Sequence, residues 1–206
     1  MPCHAARPDP REREAVGFSA GFERCHRNDD WDIGHSPTPH PRSYNPWMIL
    51  EITADQIAQL NDTDLRKLVG NLCEREVRAQ GHSPAAVTWG GHQNAADGGI
   101  DVRVSLPQGS AISGYVPMPE TGFQCKVEDM PREAILKEMA PRGVVRPSIV
   151  ELSEKGGAYV IVSSQGSLAD TALNARKGAM SEAVAKLPFA SQLHLEFLTV
   201  NGLRLG

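Results

Sequence analysis

No run of about eighteen apolar residues occurs anywhere in the chain, so no membrane-spanning helix is expected. The N-terminus also lacks the apolar core of a secretory signal. There is no CxxC pair: the four cysteines stand at positions 3, 25, 73 and 125, at spacings that match no usual zinc finger. Two of them, Cys73 and Cys125, fall in expected core elements, which argues for reduced thiols in the cytoplasm rather than a disulfide framework. Cys3-His4 and Cys25-His26 repeat a Cys-His doublet, but the residues between them have no core pattern to hold a zinc site together. Positive charge is scarce as well. Lys and Arg number 21 against 25 Asp and Glu, a net charge of −4, which is the opposite of the basic balance typical of nucleic-acid binders. A local basic patch can still act on a net-acidic chain. Finally, Gly90-Gly91-His92-Gln93-Asn94 lacks the Gly-Lys-Ser/Thr ending of a phosphate loop, which argues against nucleotide binding there.

What remains is an ordinary globular composition, 40% hydrophobic and 22% charged, long enough for one sizeable core. Residues 1 to 47 are rich in Pro, Arg, Asp, His and Ser without apolar period, and read as a disordered leader or tail. Residues 48 to 206 read as the folded domain, and Met48 is an alternative start of translation. Thr53 with Gln56 forms a capping-box pattern ahead of Ile57 and Leu60. Asp62 or Thr63 then caps a longer helix over 63–79, with an apolar stripe of Leu65, Leu68, Val69, Leu72 and Cys73. Continuing that stripe by four residues arrives at Glu76, a charge on the core-facing side, which is expensive unless paired or bound to metal. Gly81 ends the helix, and Ala85–Trp89 reads as a strand.

The most informative stretch is Asp97–Lys126. Ile100, Val102, Val104 and Leu106 alternate with Asp101, Arg103 and Ser105, and Phe123, Cys125 and Val127 alternate with Gln124 and Lys126. If the two strands pair as a hairpin across the Pro107–Pro119 connection, Asp101, Gln124 and Lys126 share one polar patch. A carboxylate and an amide oxygen are hard ligands suited to Mg²⁺ or Mn²⁺, which keeps several waters and takes a phosphate oxygen. An ammonium group beside them orients water and offsets charge building on the phosphorus oxygens. The plain alternative is a solvated strand face.

Downstream, short helices are expected at Ile135–Met139 and Ile149–Glu154, then a buried central strand over Gly157–Ser164 and a helix from about Ser167. The inner side of that helix is expected to carry Ala169, Leu173, Ala175, Ala179, Met180, Ala183, Val184 and Leu187. Arg176 and Lys177 there read as a solvated helix face, with DNA phosphate as the alternative partner. His194–Val200 closes the order as a last strand. The expected class is α/β, a mixed sheet of about five strands with helices on both faces.

Asp97-Gly98-Gly99-Ile100-Asp101 followed by Phe123-Gln124-Cys125-Lys126 resembles the signature of Mrr-type restriction endonucleases, a branch of the PD-(D/E)xK nuclease superfamily. The resemblance covers roughly residues 55–185, and glutamine in the third motif, here Gln124, is common in that branch. It implies a restriction-endonuclease-like fold and a Mg²⁺- or Mn²⁺-dependent endonuclease acting on DNA in defence against foreign DNA. By the same resemblance, Asp101, Gln124 and the Cys125 carbonyl hold the metal, Lys126 positions the water, and a helix glutamate completes the site. Glu76 is the first candidate for that glutamate and Glu74 the second, because the usual family position, in a Phe-Glu pair, is Leu65-Arg66 here. His92 and Gln93 would line the cleft near the scissile phosphate, or simply form a turn. Asp97 would cap the strand entry in an Asx-turn or, alternatively, bind a second metal or orient water. Family members often carry the module ahead of an effector or NTPase domain, so this chain reads as a bare module or a truncated relative. A homodimer is left open. Two other readings stand beside this one: a catalytically inactive module that binds nucleic acid or a partner, and a nuclease acting on RNA.

Overall fold

A capping box starts the first helix: Gln56 N–H donates to Thr53 Oγ1 at 3.3 Å, and Thr53 N–H donates back to Gln56 Oε1 at 2.9 Å. The computed structural model describes residues 52–89, 98–165 and 169–199, all within the unit Trp47–Gly206. The expected leader, residues 1–47 with Cys3 and Cys25, lies outside the described residues, as do His92, Gln93 and Asp97.

The element order is α1 (Ala54–Ala58), α2 (Asp62–Ala79), β1 (Val87–Trp89), β2 (Val102–Ser105), β3 (Glu120–Lys126), α3 (Arg132–Met139), α4 (Pro147–Glu154), β4 (Ala158–Ser163), α5 (Asp170–Val184) and β5 (His194–Thr199). The strands form one sheet in the order β1-β2-β3-β4-β5. β1, β2 and β3 are antiparallel neighbours, whereas β4 runs parallel to β3 and β5 parallel to β4. The class is therefore α/β with a mixed five-stranded sheet flanked by helices. Among the described residues no helix is long and apolar enough to cross a membrane.

Two cores separate the faces. Val102, Val104, Phe123, Cys125, Val160 and Val162 pack with Ile57 of α1 and with Leu65, Val69, Cys73 and Val77 of α2. Tyr159, Ile161 and Phe197 pack on the other face with Ile135 and Met139 of α3, Ile149 and Leu152 of α4, and Ala179, Met180 and Val184 of α5. β4 is buried along its whole length, as its near-continuous apolar run requires. Both described cysteines are free and buried.

Several expectations shift. α2 is capped by Asn61, whose Oδ1 accepts from Asp64 N–H at 2.9 Å, rather than by Asp62 or Thr63. Its fully buried line runs Leu65, Val69, Cys73 and Val77, four residues apart each time, while Leu68 and Leu72 are only partly buried. The core stripe thus continues to Val77, and Glu76 lies beside it. Ala85 and Ala86 belong to a 3₁₀ turn that precedes β1. In α5, Arg176 is not on a solvated face. It is buried, donates to the Met130 carbonyl, pairs with Asp129 and lies over the Phe197 ring at 5.2 Å from its centre. Ala169 and Ala175, expected on the inner side, are exposed instead.

Candidate functional site

β2 and β3 are antiparallel, so the start of β2 lies beside the C-terminal end of β3, where the parallel strands β3 and β4 also end. Open α/β sheets present their ligand sites at that end. Asp101 stands immediately before β2, and its place is set by a slip in the ladder. The register Val102↔Phe123 would put Asp101 opposite Gln124, yet Asp101 N–H donates to the Phe123 carbonyl at 2.8 Å. A one-residue slip of this kind is a bulge, which re-aims side chains locally. It also explains why Ile100 departs from its expected company. Ile100 packs in the opposite core from Val102, Val104 and Leu106, over Gly122, where a Cβ would come within 2.7 Å of its Cδ1. Gly98 and Gly99, at φ 64° and 84°, supply the turn into this segment.

The three residues expected on one patch are brought together, with a division of partners. Gln124 Nε2 donates to Asp101 Oδ2 at 2.8 Å, and Cys125 N–H donates to the same oxygen at 2.8 Å. The contact of Cys125 with the carboxylate is thus through its amide. Lys126 Nζ is held by Glu138 Oε2 of α3 at 3.0 Å, and Glu138 Oε1 accepts from Arg146 NH2 at 2.9 Å. Arg146 in turn lies across Gly99, where a Cβ would meet its Cδ at 2.7 Å. The backbone beyond Lys126 is fastened by Ser164, whose N–H donates to the Lys126 carbonyl at 2.9 Å and whose Oγ donates to the Val127 carbonyl at 3.1 Å.

The other oxygen of Asp101 has a partner that periodicity did not nominate. Arg66 NH2 of α2 sits 2.9 Å from Asp101 Oδ1, with the two side chains only 16% and 14% exposed. Burial nevertheless pushes the Asp101 carboxyl above its ordinary range, against the Cys125 N–H bond, the Arg66 guanidinium and the Lys126 ammonium, which all pull it down.

The two candidate helix glutamates bond other residues. Glu76 and Glu74 lie ten and eight residues beyond Arg66 on α2, about 15 and 12 Å along the axis. Glu76 accepts from Gln80 Nε2, and Gln80 fixes the connection before β3 by accepting from Ser113 N–H at 3.0 Å. Glu74 accepts from Trp89 Nε1 at 2.8 Å. Both carboxylates are thus engaged by neutral donors, Gln80 and Trp89. Among the described residues no three His, Cys, Asp or Glu side chains gather closely enough to hold a metal ion by themselves.

A hard divalent ion needs oxygens, and it is not limited to carboxylates. Gln124 Oε1 is buried and has no hydrogen-bond partner among the described residues, on the same side chain that bonds Asp101. A buried, unsatisfied amide oxygen next to a largely buried carboxylate fits such an ion. The residues missed by sequence reasoning are Glu138 and Arg146, and Arg66 as a site residue. Glu138 lies 12 residues and Arg146 20 residues past Lys126, separations that carry no periodic signal.

No protein-family model, no curated protein and no solved structure matches this chain.

Proposed function

We propose that this protein is a metal-dependent endonuclease that hydrolyses DNA phosphodiester bonds in defence against foreign DNA, on a restriction-endonuclease-like fold. The observation that carries the reading is the meeting of Asp101, Gln124 and Lys126 at one end of the sheet, with the Gln124 Oε1 atom unpaired. Asp101, Gln124 Oε1 and the Cys125 carbonyl would hold Mg²⁺ or Mn²⁺, which when bound would supply Lewis-acid polarisation of a phosphoryl oxygen.

The chain's own groups do the rest. The Lys126 ammonium, anchored by Glu138, orients the attacking water and offsets negative charge growing on the phosphorus oxygens. The Cys125 N–H and the Gln124 amide fix Asp101 Oδ2, so the carboxylate is preorganised before substrate arrives.

One observation favours a second reading, a metal-deficient module that holds nucleic acid without cutting it. The Arg66 guanidinium already supplies positive charge to Asp101. The two readings separate in a nicking assay on supercoiled plasmid in Mg²⁺ or Mn²⁺, with RNA presented in parallel. The nuclease reading expects DNA cleavage by the wild type and losses of roughly a hundredfold or more in Asp101→Ala and Lys126→Ala. Activity surviving in both variants overturns it. DNA binding without cleavage by the wild type moves the assignment to the second reading, and cleavage confined to RNA changes the substrate.

A further inference from the structure

We infer that Arg66 is a phosphate-contacting residue of this site, its guanidinium binding a non-bridging oxygen of the nucleic-acid backbone while one N–H stays on Asp101. The inference rests on the reading of the site as one for nucleic-acid phosphodiesters. Among the described residues Asp101 is the one polar partner of Arg66, reached through NH2 at 2.9 Å. Arg66 Nε is buried and has no hydrogen-bond partner there. A guanidinium carries five donors in a planar fork, and a second edge remains after one contact is made.

Two polar atoms around this carboxylate are therefore left over. One is a donor, Arg66 Nε, and one is an acceptor, Gln124 Oε1. Both belong to side chains that bond Asp101, on opposite oxygens of the carboxylate. Arg66 Nε is too deeply buried to meet a polymer itself, so the contact falls to the outer N–H groups of a side chain that is 16% exposed. The non-bridging oxygens of a phosphodiester accept from such N–H groups in charge-assisted bonds. α2 is well suited to hold the group still: Leu65, immediately before Arg66, and Val69, three residues on, are fully buried.

The competing role is a permanent counter-ion for Asp101 that touches no ligand. Binding of a short fluorescent duplex, followed by anisotropy in EDTA in an Asp101→Asn background, separates the two. That background removes both cleavage and the buried carboxylate that Arg66 would otherwise leave unpaired. Arg66→Gln is expected to weaken binding about tenfold and to flatten the dependence of log K on log salt by about 0.9, the loss of one phosphate contact. Arg66→Lys, which keeps the charge and protects against a folding artefact, should restore the slope but not the full affinity. Unchanged affinity and slope in Arg66→Gln overturn the inference while leaving the nuclease reading intact. Absence of duplex binding by the Asp101→Asn parent overturns the inference as well, while the nicking assay on the wild type decides the nuclease reading separately.

Discussion

Lys126 Nζ lies 3.0 Å from Glu138 Oε2, so the ammonium group next to the Asp101 carboxylate is anchored by an acid from the helix packed on its face. Glu138 also takes Arg146, which lies over Gly99 two residues before Asp101. One carboxylate thus ties the end of β3 to the entry of β2. Glu138→Ala leaves Lys126 without its carboxylate and Arg146 with only the Glu138 backbone carbonyl, and should cost about 1–3 kcal/mol, below the value for a fully buried pair because all three side chains keep some solvent. Urea unfolding measures this, and Glu138→Gln should lose less. An unchanged midpoint for Glu138→Ala would mean the network is ornamental.

Gly70 gives a second prediction, one about packing alone. A Cβ there would come within 2.5 Å of Trp89 Cδ2, and the ring is fixed by its bond to Glu74 at 2.8 Å. Alanine is the better helix former by about 1 kcal/mol. Overpacking of this kind costs about 1–3 kcal/mol, so Gly70→Ala should be net destabilising in urea unfolding. A stabilised variant would show that the contact between α2 and β1 relaxes freely.

Most of the fold was legible from alternation and caps. The capping box at Thr53, the positive-φ Gly81 after α2 and the apolar run of β4 each depend on neighbours in sequence, and each stands where expected. Asp101 and Gln124 could be paired because both strands have period two. Local pattern could not foresee the ladder slip at Asp101 that sends Ile100 to the other face, because a bulge is decided by the partner strand. Glu76 was misplaced because the choice between continuing from Leu72 and continuing from Cys73 differs by one residue on a helix face. Arg176 was misread because its partners, Asp129 and Phe197, come from distant elements.

The Asp101 carboxyl makes a prediction about pH. Burial raises its folded-state pKa above the unfolded value, so the folded protein holds the proton more tightly. That contribution is fully present below the unfolded value of about 4 and is lost as pH rises through the folded one. In EDTA, the unfolding free energy of the wild type minus that of Asp101→Asn should therefore fall as pH rises from about 4, then level off. A difference that rises with pH would reverse the sign of the argument.

Cys73 and Cys125 should be inert in the native protein. Burial pushes both thiols up, with Glu76 and Glu74 adding to the effect at Cys73 and Asp101 at Cys125. The thiolate is the reactive form, so alkylation at about pH 8 should be far slower than in urea at both positions. Peptide mass spectrometry resolves them individually. Rapid native labelling of Cys125 would show that the site beside Asp101 opens in solution.

In the proposed site the Asp101 carboxylate and the Gln124 amide oxygen share one hard cation. Calorimetric titration of Mn²⁺ into the full-length protein, in parallel with Asp101→Ala and Gln124→Leu, tests it most directly. A shared cation gives a binding event in the wild type that Asp101→Ala abolishes and Gln124→Leu weakens. Wild-type Mn²⁺ affinity retained in Asp101→Ala would contradict it.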